Sequence, residues 1–490
     1  MQASELIACL KYKQVLPADF ADFGVSELTQ DTRKVVPGAV FVAVVGHKVD
    51  GHQFIPQAVE KGAKLIVAEH PVETSVPVVV VRDSHRAMAF LANRYFGHPS
   101  QQLRMIGVTG TNGKTTVTHL IEEIFSRAGD LTGVIGTLYR KIGAATYPTI
   151  NTTPDAITNQ RTLAKMVAAK VDTVAMEVSS IALQQGRVWG IDYDIAVFTN
   201  FTEDHLAYHK TMAQYKLAKS LLFAQLGSVA ADKAAVLNVD DPVGREFADY
   251  TAANVITYAI DHEADVRAQN VALSLEGIRF DLTVFGQHYR VATPLVGRFN
   301  VANCLAAIAA AVAAGLPVET IIAALSTAHG VRGRFQKVPT TTGVTVIVDY
   351  AHTPDGLEKV LTTLNQFAEH KVYCVVGCGG DRDAKKRPLM AQIAVKGSTQ
   401  AILTEDNPRT EDPKQIMNDM LAGIDETMPQ PEVIYDRAAA IKEAINRAQP
   451  GDAVLIAGKG HEDYQIIGTT KRHFDDFEQA AAALEEKAAH

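Results

Sequence analysis

The spacing of apolar residues changes character along the chain, and each change predicts a different kind of layer. Up to about residue 101 the apolar positions come in short runs of strand length: VFVAVVG from Val40, KLIVAE from Lys64 and VPVVVVRD from Val76. A helix-like segment at Ile55–Lys61 separates the first two. From Leu103 the run LRMIGVTG leads into GTNGKTT and then into Val117, Leu120, Ile121, Ile124 and Phe125, which share one helical face. Strand, glycine loop and helix thus follow one another directly. Asp172–Glu177 and Ile191–Phe198 read as buried strands, whereas Ile278, Phe280, Leu282 and Val284 alternate as a strand wetted on one face does. A parallel sheet with an antiparallel addition near 254 to 296 is expected there. After Arg334 the alternation restarts with a strand at Val344–Tyr350 and a helix carrying Leu357, Val360, Leu361 and Leu364 on one face. Strands at Val372–Val376, Ala401–Thr404 and Ala453–Ala457 follow. The expected fold class is α/β in three domains: a small α/β domain over 1–101, a P-loop ATPase-like domain with a mostly parallel sheet over 102–333, and a Rossmann-like domain over 334–490.

Composition narrows the function. With 47% hydrophobic and 21% charged residues in 490, the chain is of ordinary globular make-up. A net charge of -8 gives no global field that would draw nucleic acid or an acidic membrane. Any anionic ligand must therefore be held by local donors. The most apolar stretch, Cys304–Val318, is too short to span a bilayer and contains Gly315 and Pro317. The start of the chain has no long apolar run of the secretory kind. Cys9, Cys304, Cys374 and Cys378 form neither a zinc-like pair of pairs nor a disulfide framework, and read as buried small apolar side chains of a reduced protein. A cytoplasmic protein without membrane insertion is the expectation.

The local donors are visible. Gly107-Val-Thr-Gly-Thr-Asn-Gly-Lys-Thr-Thr116 joins a strand end to a helix start, where free backbone N–H groups and the positive helix end favour phosphate. Gly110 and Gly113 let the backbone wrap phosphates, Lys114 supplies a mobile charge and Thr115 can ligate Mg²⁺. The generic P-loop pattern would have its first glycine where Val108 stands. Glu177 ends an apolar strand, where proteins of this class present a metal-binding carboxylate, and Asp204, His205 and His209 cluster after another strand end.

Taken jointly, the motifs carry a resemblance. TGTNGKTT, NTTPD at Asn151, MEVSS at Met176, TNFTEDHLAYH at Thr199, YKLAKSLLF at Tyr215, LNVDDP at Leu237 and GRFNVANCLAA at Gly297 resemble those of the Mur ligase family. So do DYAHTPDGL at Asp349, GCGGDRDAKKRP at Gly377, DNPRTEDP at Asp406 and GKGHEDYQ at Gly458. The resemblance begins at Gln30 and covers nearly the whole chain. It implies ATP and Mg²⁺ as cofactors, with Gly110, Thr111, Asn112, Gly113, Lys114, Thr115 and Thr116 in the nucleotide loop. Asn300 and Asn303 fall near the adenine by the same match, and Asp349 and His352 are the last domain's contribution. It further implies that Thr115, Glu177 and His205 hold magnesium and that Lys219 is carried as a carbamate, which turns a cation into a carboxylate-like metal ligand. Ile181 stands where many relatives have histidine, Thr32 where they have serine, and Phe335-Gln336 where they have Met-Glu.

For the substrates the resemblance implies UDP-N-acetylmuramoyl-L-alanyl-D-glutamate, held at its uridine by Asp31, Thr32 and Arg33. Its sugar-peptide part would be held by Asn151, Thr152, Thr153, Ser179, Gln185 and Arg187. It implies meso-diaminopimelate as the incoming amino acid, bound by Arg382, Asp406, Asn407, Arg409, Gly458 and Glu462. Arg409 is the physical discriminator: a guanidinium grips the distal carboxylate that lysine lacks and repels lysine's terminal ammonium. The implied reaction is acid–amino acid ligation through an acyl phosphate, by a monomer, in cell-wall precursor synthesis. The competing readings are the same reaction with L-lysine, a folylpolyglutamate synthase-like ligase, and a non-catalytic nucleotide-sugar-binding regulator.

Overall fold

A computed structural model describes residues 1–46, 49–227 and 232–489, so His47 and Lys48 of the first-domain motif lie outside the described residues. Among the described residues three large sheets follow one another along the chain, and a two-stranded antiparallel ribbon, Tyr464–Ile467 with Thr470–His473, comes after them. The first runs, edge to edge, through Gln14–Leu16, Val78–Val80, Ala63–Ala68, Ala39–Val42 and Glu27–Thr29, parallel except at the Gln14–Leu16 edge. Its apolar runs are buried, since Val40, Phe41, Leu65, Ile66 and Val67 are almost inaccessible.

The central sheet has eleven strands. Arg104–Thr109 lies between Thr173–Glu177 and Ile195–Phe198, parallel to both. Parallel order brings the three carboxyl ends to one edge of the sheet, where an open α/β layer binds its ligands. The expected strand at Ile191–Phe198 is shorter, covering only Ile195–Phe198. Asp192 and Asp194 instead turn their carboxylates to Lys233 at 3.1 and 2.7 Å, and Asp194 accepts the Met105 N–H at 2.7 Å. The antiparallel addition also starts later than expected. Asn254–Ala259 pairs parallel with Ala234–Asn238, and antiparallel pairing begins between Val266–Ser274 and Gly277–Val284. Helix Arg298–Ala313 packs across this sheet and buries the first part, Cys304–Ala311, of the stretch that is most apolar in the sequence.

The last sheet runs Gln336–Val338, Thr345–Asp349, Ala453–Ala457, Val372–Val376, Gln400–Leu403 and Glu432–Val433, with only the Gln336–Val338 edge antiparallel. Asp349, Gly377–Arg382, Asp406–Arg409 and Gly458–Glu462 all sit at or just beyond carboxyl ends of its parallel strands. Cys304, Cys374 and Cys378 are buried as expected, but Cys9 is exposed. No described helix is long and apolar enough to cross a membrane.

Candidate active site

The nucleotide loop is tight because two glycines allow close approach. A Cβ at Gly110 would lie 1.8 Å from Thr199 Oγ1, and one at Gly113, where φ is +88°, 2.5 Å from Asn303 Oδ1. Thr199 Oγ1 donates to the Asn112 carbonyl at 2.6 Å, and the Asn112 N–H donates to Asn200 Oδ1 at 2.9 Å. Lys114 Nζ donates to the carbonyls of Gly110 and Thr111 at 2.9 and 2.8 Å, while Lys219 Nζ reaches the same Gly110 carbonyl at 2.7 Å. A half-buried amine, Lys114, and a buried one, Lys219, thus converge on one loop. Burial lowers the Lys114 pKa, and burial together with the Lys114 charge pushes Lys219 well below the usual amine range. Thr116 is buried on the first turn of helix Lys114–Arg127.

Glu177 is fully buried at its strand end. Its Oε2 accepts hydrogens from Thr115 Oγ1 and Thr137 Oγ1, both at 3.0 Å, and its Oε1 accepts the Thr137 N–H at 2.7 Å. His205, in a left-handed conformation at the start of the short helix Leu206–His209, pairs with Asp204 at 3.3 Å. Burial holds the His205 pKa below its ordinary value, against the pull of Asp204. The metal set expected from the motifs therefore divides: Thr115 and Glu177 touch, His205 belongs to Asp204, and Lys219 holds the loop carbonyl. Thr115 and Glu177 suit magnesium, which takes one or two protein oxygens and completes its octahedron with phosphate oxygens and water.

The last domain closes over the loop through residues that the motifs do not single out. Arg334 Nη2 donates to Thr115 Oγ1 at 3.1 Å, and Asp355 Oδ2 accepts from Asn112 Nδ2 at 2.8 Å and Thr202 Oγ1 at 3.2 Å. Asp349, buried, accepts the Phe335 N–H at 2.6 Å, and burial raises its pKa to about 6. His352 hydrogen-bonds the Tyr350 carbonyl at 2.8 Å; burial and then Lys386 lower it to about 4. Lys386 Nζ donates to the His352 carbonyl at 2.6 Å. Asn300 and Asn303 are joined at 2.9 Å on the helix that backs the loop. Asp355 lies inside DYAHTPDGL and Lys386 inside GCGGDRDAKKRP, but a motif does not tell which of its polar residues faces another domain.

Thr153, Ser179, Gln185 and Arg187 come together. Thr153 Oγ1 donates to the Glu177 carbonyl at 2.8 Å and lies 3.3 Å from Ser179 Oγ. Arg187 donates to Gln185 Oε1 at 2.9 Å and to the Thr153 carbonyl at 3.1 Å. Thr152 Oγ1 lies 3.1 Å from Thr137 Oγ1, whereas Asn151 is exposed. Asp31, Thr32 and Arg33 lie apart from them on the first domain. Arg33 pairs with Asp31 at 2.8 Å with its side chain 86% exposed, and Thr32 offers its carbonyl to Lys61 at 3.1 Å. Ile181 lies on helix Ser180–Gln184, where the neighbouring Ser180 hydroxyl meets His209 Nε2 at 2.9 Å.

In the last domain Asn407 is the hub. Its Nδ2 donates to Glu462 Oε2 at 2.8 Å, and its Oδ1 accepts from Lys459 Nζ at 3.1 Å and the Ile466 N–H at 2.9 Å. Burial, with Asp406 nearby, raises the Glu462 pKa. A Cβ at Gly458 would lie 3.1 Å from Asp406 Oδ2. Arg409 Nη1 donates to the carbonyls of Gly380 and Asn407 at 2.8 and 3.4 Å, with no carboxylate in ion-pair range among the described residues. Arg382 donates to the Asp381 carbonyl at 3.1 Å.

Comparison with known proteins agrees with this architecture. The Mur ligase middle domain matches residues 108–311, the Mur ligase glutamate ligase domain matches 333–460, and the Mur ligase family catalytic domain matches 25–96. A Lactiplantibacillus plantarum protein named UDP-N-acetylmuramoyl-L-alanyl-D-glutamate--2,6-diaminopimelate ligase is 62% identical, over 99% of each chain. A Bacillus cereus protein of the same name is 50% identical over 99% of this chain and 98% of its own. A solved structure of a ligase so named superposes with a TM-score of 0.68 at 35% identity, over 99% of both chains. A Mycobacterium tuberculosis folylpolyglutamate synthase shares the fold at 17% identity, with a TM-score of 0.61 over 75% of this chain. The chain belongs to the Mur ligase family.

Proposed function

We propose that this enzyme joins meso-diaminopimelate to UDP-N-acetylmuramoyl-L-alanyl-D-glutamate, using ATP and magnesium in the cytoplasm. The observation that carries the amino-acid choice is Arg409. A partly buried guanidinium is usually spent on a carboxylate, yet this one is fixed by two backbone carbonyls through Nη1 alone. Nε and Nη2 stay free of hydrogen-bond partners among the described residues and can take a carboxylate through two parallel bonds. Glu462, linked to Arg409's own loop through Asn407, suits the distal ammonium of the same substrate. Lysine would set a second cation beside the guanidinium. The relatives named as diaminopimelate ligases support the same reading.

A carboxylate has no leaving group, so the D-glutamyl γ-carboxylate oxygen attacks the γ-phosphorus of ATP, the bond to the β-phosphate oxygen breaks, and ADP leaves. The amine of diaminopimelate then attacks the acyl carbon, phosphate departs with the bonding pair, and the amine loses a proton. Lys114, the loop N–H groups and the helix start hold the phosphates in line, a task of positioning and charge. Thr115 and Glu177 would hold magnesium, which would supply further neutralisation of phosphate charge. Lys219 is suited to carbamate formation because only a neutral amine attacks CO₂, and its surroundings favour the neutral form. The carbamate then places an anion beside Lys114 where a neutral amine stood.

The test is kcat/KM for diaminopimelate and for lysine in wild type and Arg409→Ala. The ratio should fall by about 10- to 100-fold, the cost of leaving a carboxylate without its charged partner. If both values fall together, Arg409 does not choose the amino acid.

A further inference from the structure

Glu177 accepts three hydrogen bonds, and they are shared unevenly, one on Oε1 and two on Oε2. The Thr137 N–H already satisfies Oε1 and the Thr115 hydroxyl already satisfies Oε2, yet Thr137 turns its own hydroxyl onto Oε2 as well. The approach is close by construction, since a Cβ on the preceding Gly136 would lie 2.4 Å from Glu177 Oε1. On its other side Thr137 Oγ1 meets Thr152 Oγ1 at 3.1 Å. A hydroxyl carries one hydrogen. While Thr137 gives its hydrogen to Glu177, the Thr152 hydroxyl must be the donor between the two threonines. The chain of hydrogens then runs from Thr152 to Thr137 to Glu177.

This chain has a second setting that needs no heavy atom to move. If Thr137 turns its hydrogen to Thr152, Glu177 Oε2 loses one of its two donors and gains capacity to bind a cation, and the Thr152 hydrogen is free to point at an acceptor oxygen of a substrate. We propose that Thr137 is a positioning residue that couples the two sites: a substrate oxygen taking the Thr152 hydrogen favours the setting in which Glu177 Oε2 is open to a cation, and the reverse. The inference rests on the functional reading that places the UDP-dipeptide against Thr152 and magnesium against Glu177. Its sign is positive, because each ligand favours the same setting, and the coupling is reciprocal.

The test is calorimetric binding of a non-hydrolysable ATP analogue, with and without Mg²⁺ and with and without UDP-N-acetylmuramoyl-L-alanyl-D-glutamate. Wild type, Thr137→Val and Thr137→Ser are compared. In wild type the dipeptide should tighten the magnesium-bound analogue by about 5-fold or more, the lower range of ordinary coupling. Thr137→Val keeps shape but has no hydroxyl, so the factor should fall to about one while affinity without Mg²⁺ is unchanged; Thr137→Ser should restore it. A valine variant with the wild-type factor overturns the proposal, as does a serine variant that fails to restore it. A wild type that binds both ligands without coupling also overturns it. Wild type that does not bind the UDP-dipeptide at all overturns the functional reading first and the relay with it.

Discussion

The nucleotide loop and the Asp31–Arg33 segment are both short polar motifs, yet they are built in opposite ways. Asp31 and Arg33 satisfy each other two residues apart, and the Arg33 side chain is left 86% exposed. The loop's polar groups find partners far along the chain: Gly110 with Lys219 across 109 residues, Thr115 with Arg334 across 219 and Asn112 with Asp355 across 243. The Asp31–Arg33 pair is made within the first domain and needs neither of the others. A phosphoryl-transfer site that also needs the last domain is complete only when the domains have met, which ties chemistry to closure.

The largest effect should come from the loop itself. Lys114→Ala removes a half-buried amine proposed to meet phosphate, and turnover should fall by about a thousandfold or more, with unfolding temperature close to wild type. Steady-state turnover and a melting curve check this, and near-normal turnover would remove Lys114 from the site. Lys219→Ala should lose about a hundredfold, and a small carboxylic acid such as formate should restore part of it by standing where the carbamate stood. Full activity of that variant would end the carbamate assignment.

Asp355→Ala sharpens the comparison directly, because it deletes the acceptor shared by Asn112 and Thr202 and removes no group assigned to a substrate. The KM for ATP should rise by several-fold, about 1 kcal/mol of lost cross-domain bonding, with the KM for the UDP-dipeptide unchanged. Asp31→Ala should do the reverse. If both variants move both constants, the two regions are not independent.

The smallest effect concerns acid. His352 and His461 flank the Tyr350 ring at 4.6 and 4.9 Å and are held at about 4 and about 3, each by burial first. Histidine exposed by opening or unfolding titrates near 6.5, so the closed form binds fewer protons. Its stability is therefore complete above about pH 6.5 and is lost as pH falls toward these lowered values, by about 1 kcal/mol per histidine per pH unit. His461→Gln should flatten the fall in melting temperature between pH 6.5 and 4, and an unchanged slope would contradict the assignment.

Much of this molecule is legible in its sequence. The strands at Val372–Val376 and Ala453–Ala457 are unbroken apolar runs and fold as such, because a parallel strand is buried on both faces. Lys114 and Thr115 stand out because a glycine loop between a strand end and a helix favours phosphate, and Glu177 because it ends an apolar strand; the structure brings Thr115 and Glu177 to 3.0 Å. Ile191–Asp194 misleads because its apolar spacing continues while its two aspartates serve Lys233. Thr137, Arg334, Asp355 and Lys386 could not be singled out, since a hydroxyl or a charge within a strand-end motif looks the same whether it faces solvent or another domain. Their roles arise only from tertiary contact. The parts that sequence leaves open are thus the ones that join domains.

The central claim is the reaction, and the most direct measurement is release of phosphate from ATP by the purified wild-type protein with UDP-N-acetylmuramoyl-L-alanyl-D-glutamate and a panel of amino acids. Phosphate release should require the UDP-dipeptide and be far faster with meso-diaminopimelate than with L-lysine, with one amide bond formed per phosphate. A protein that prefers lysine, or that hydrolyses ATP without the UDP-dipeptide and forms no amide, would contradict that claim.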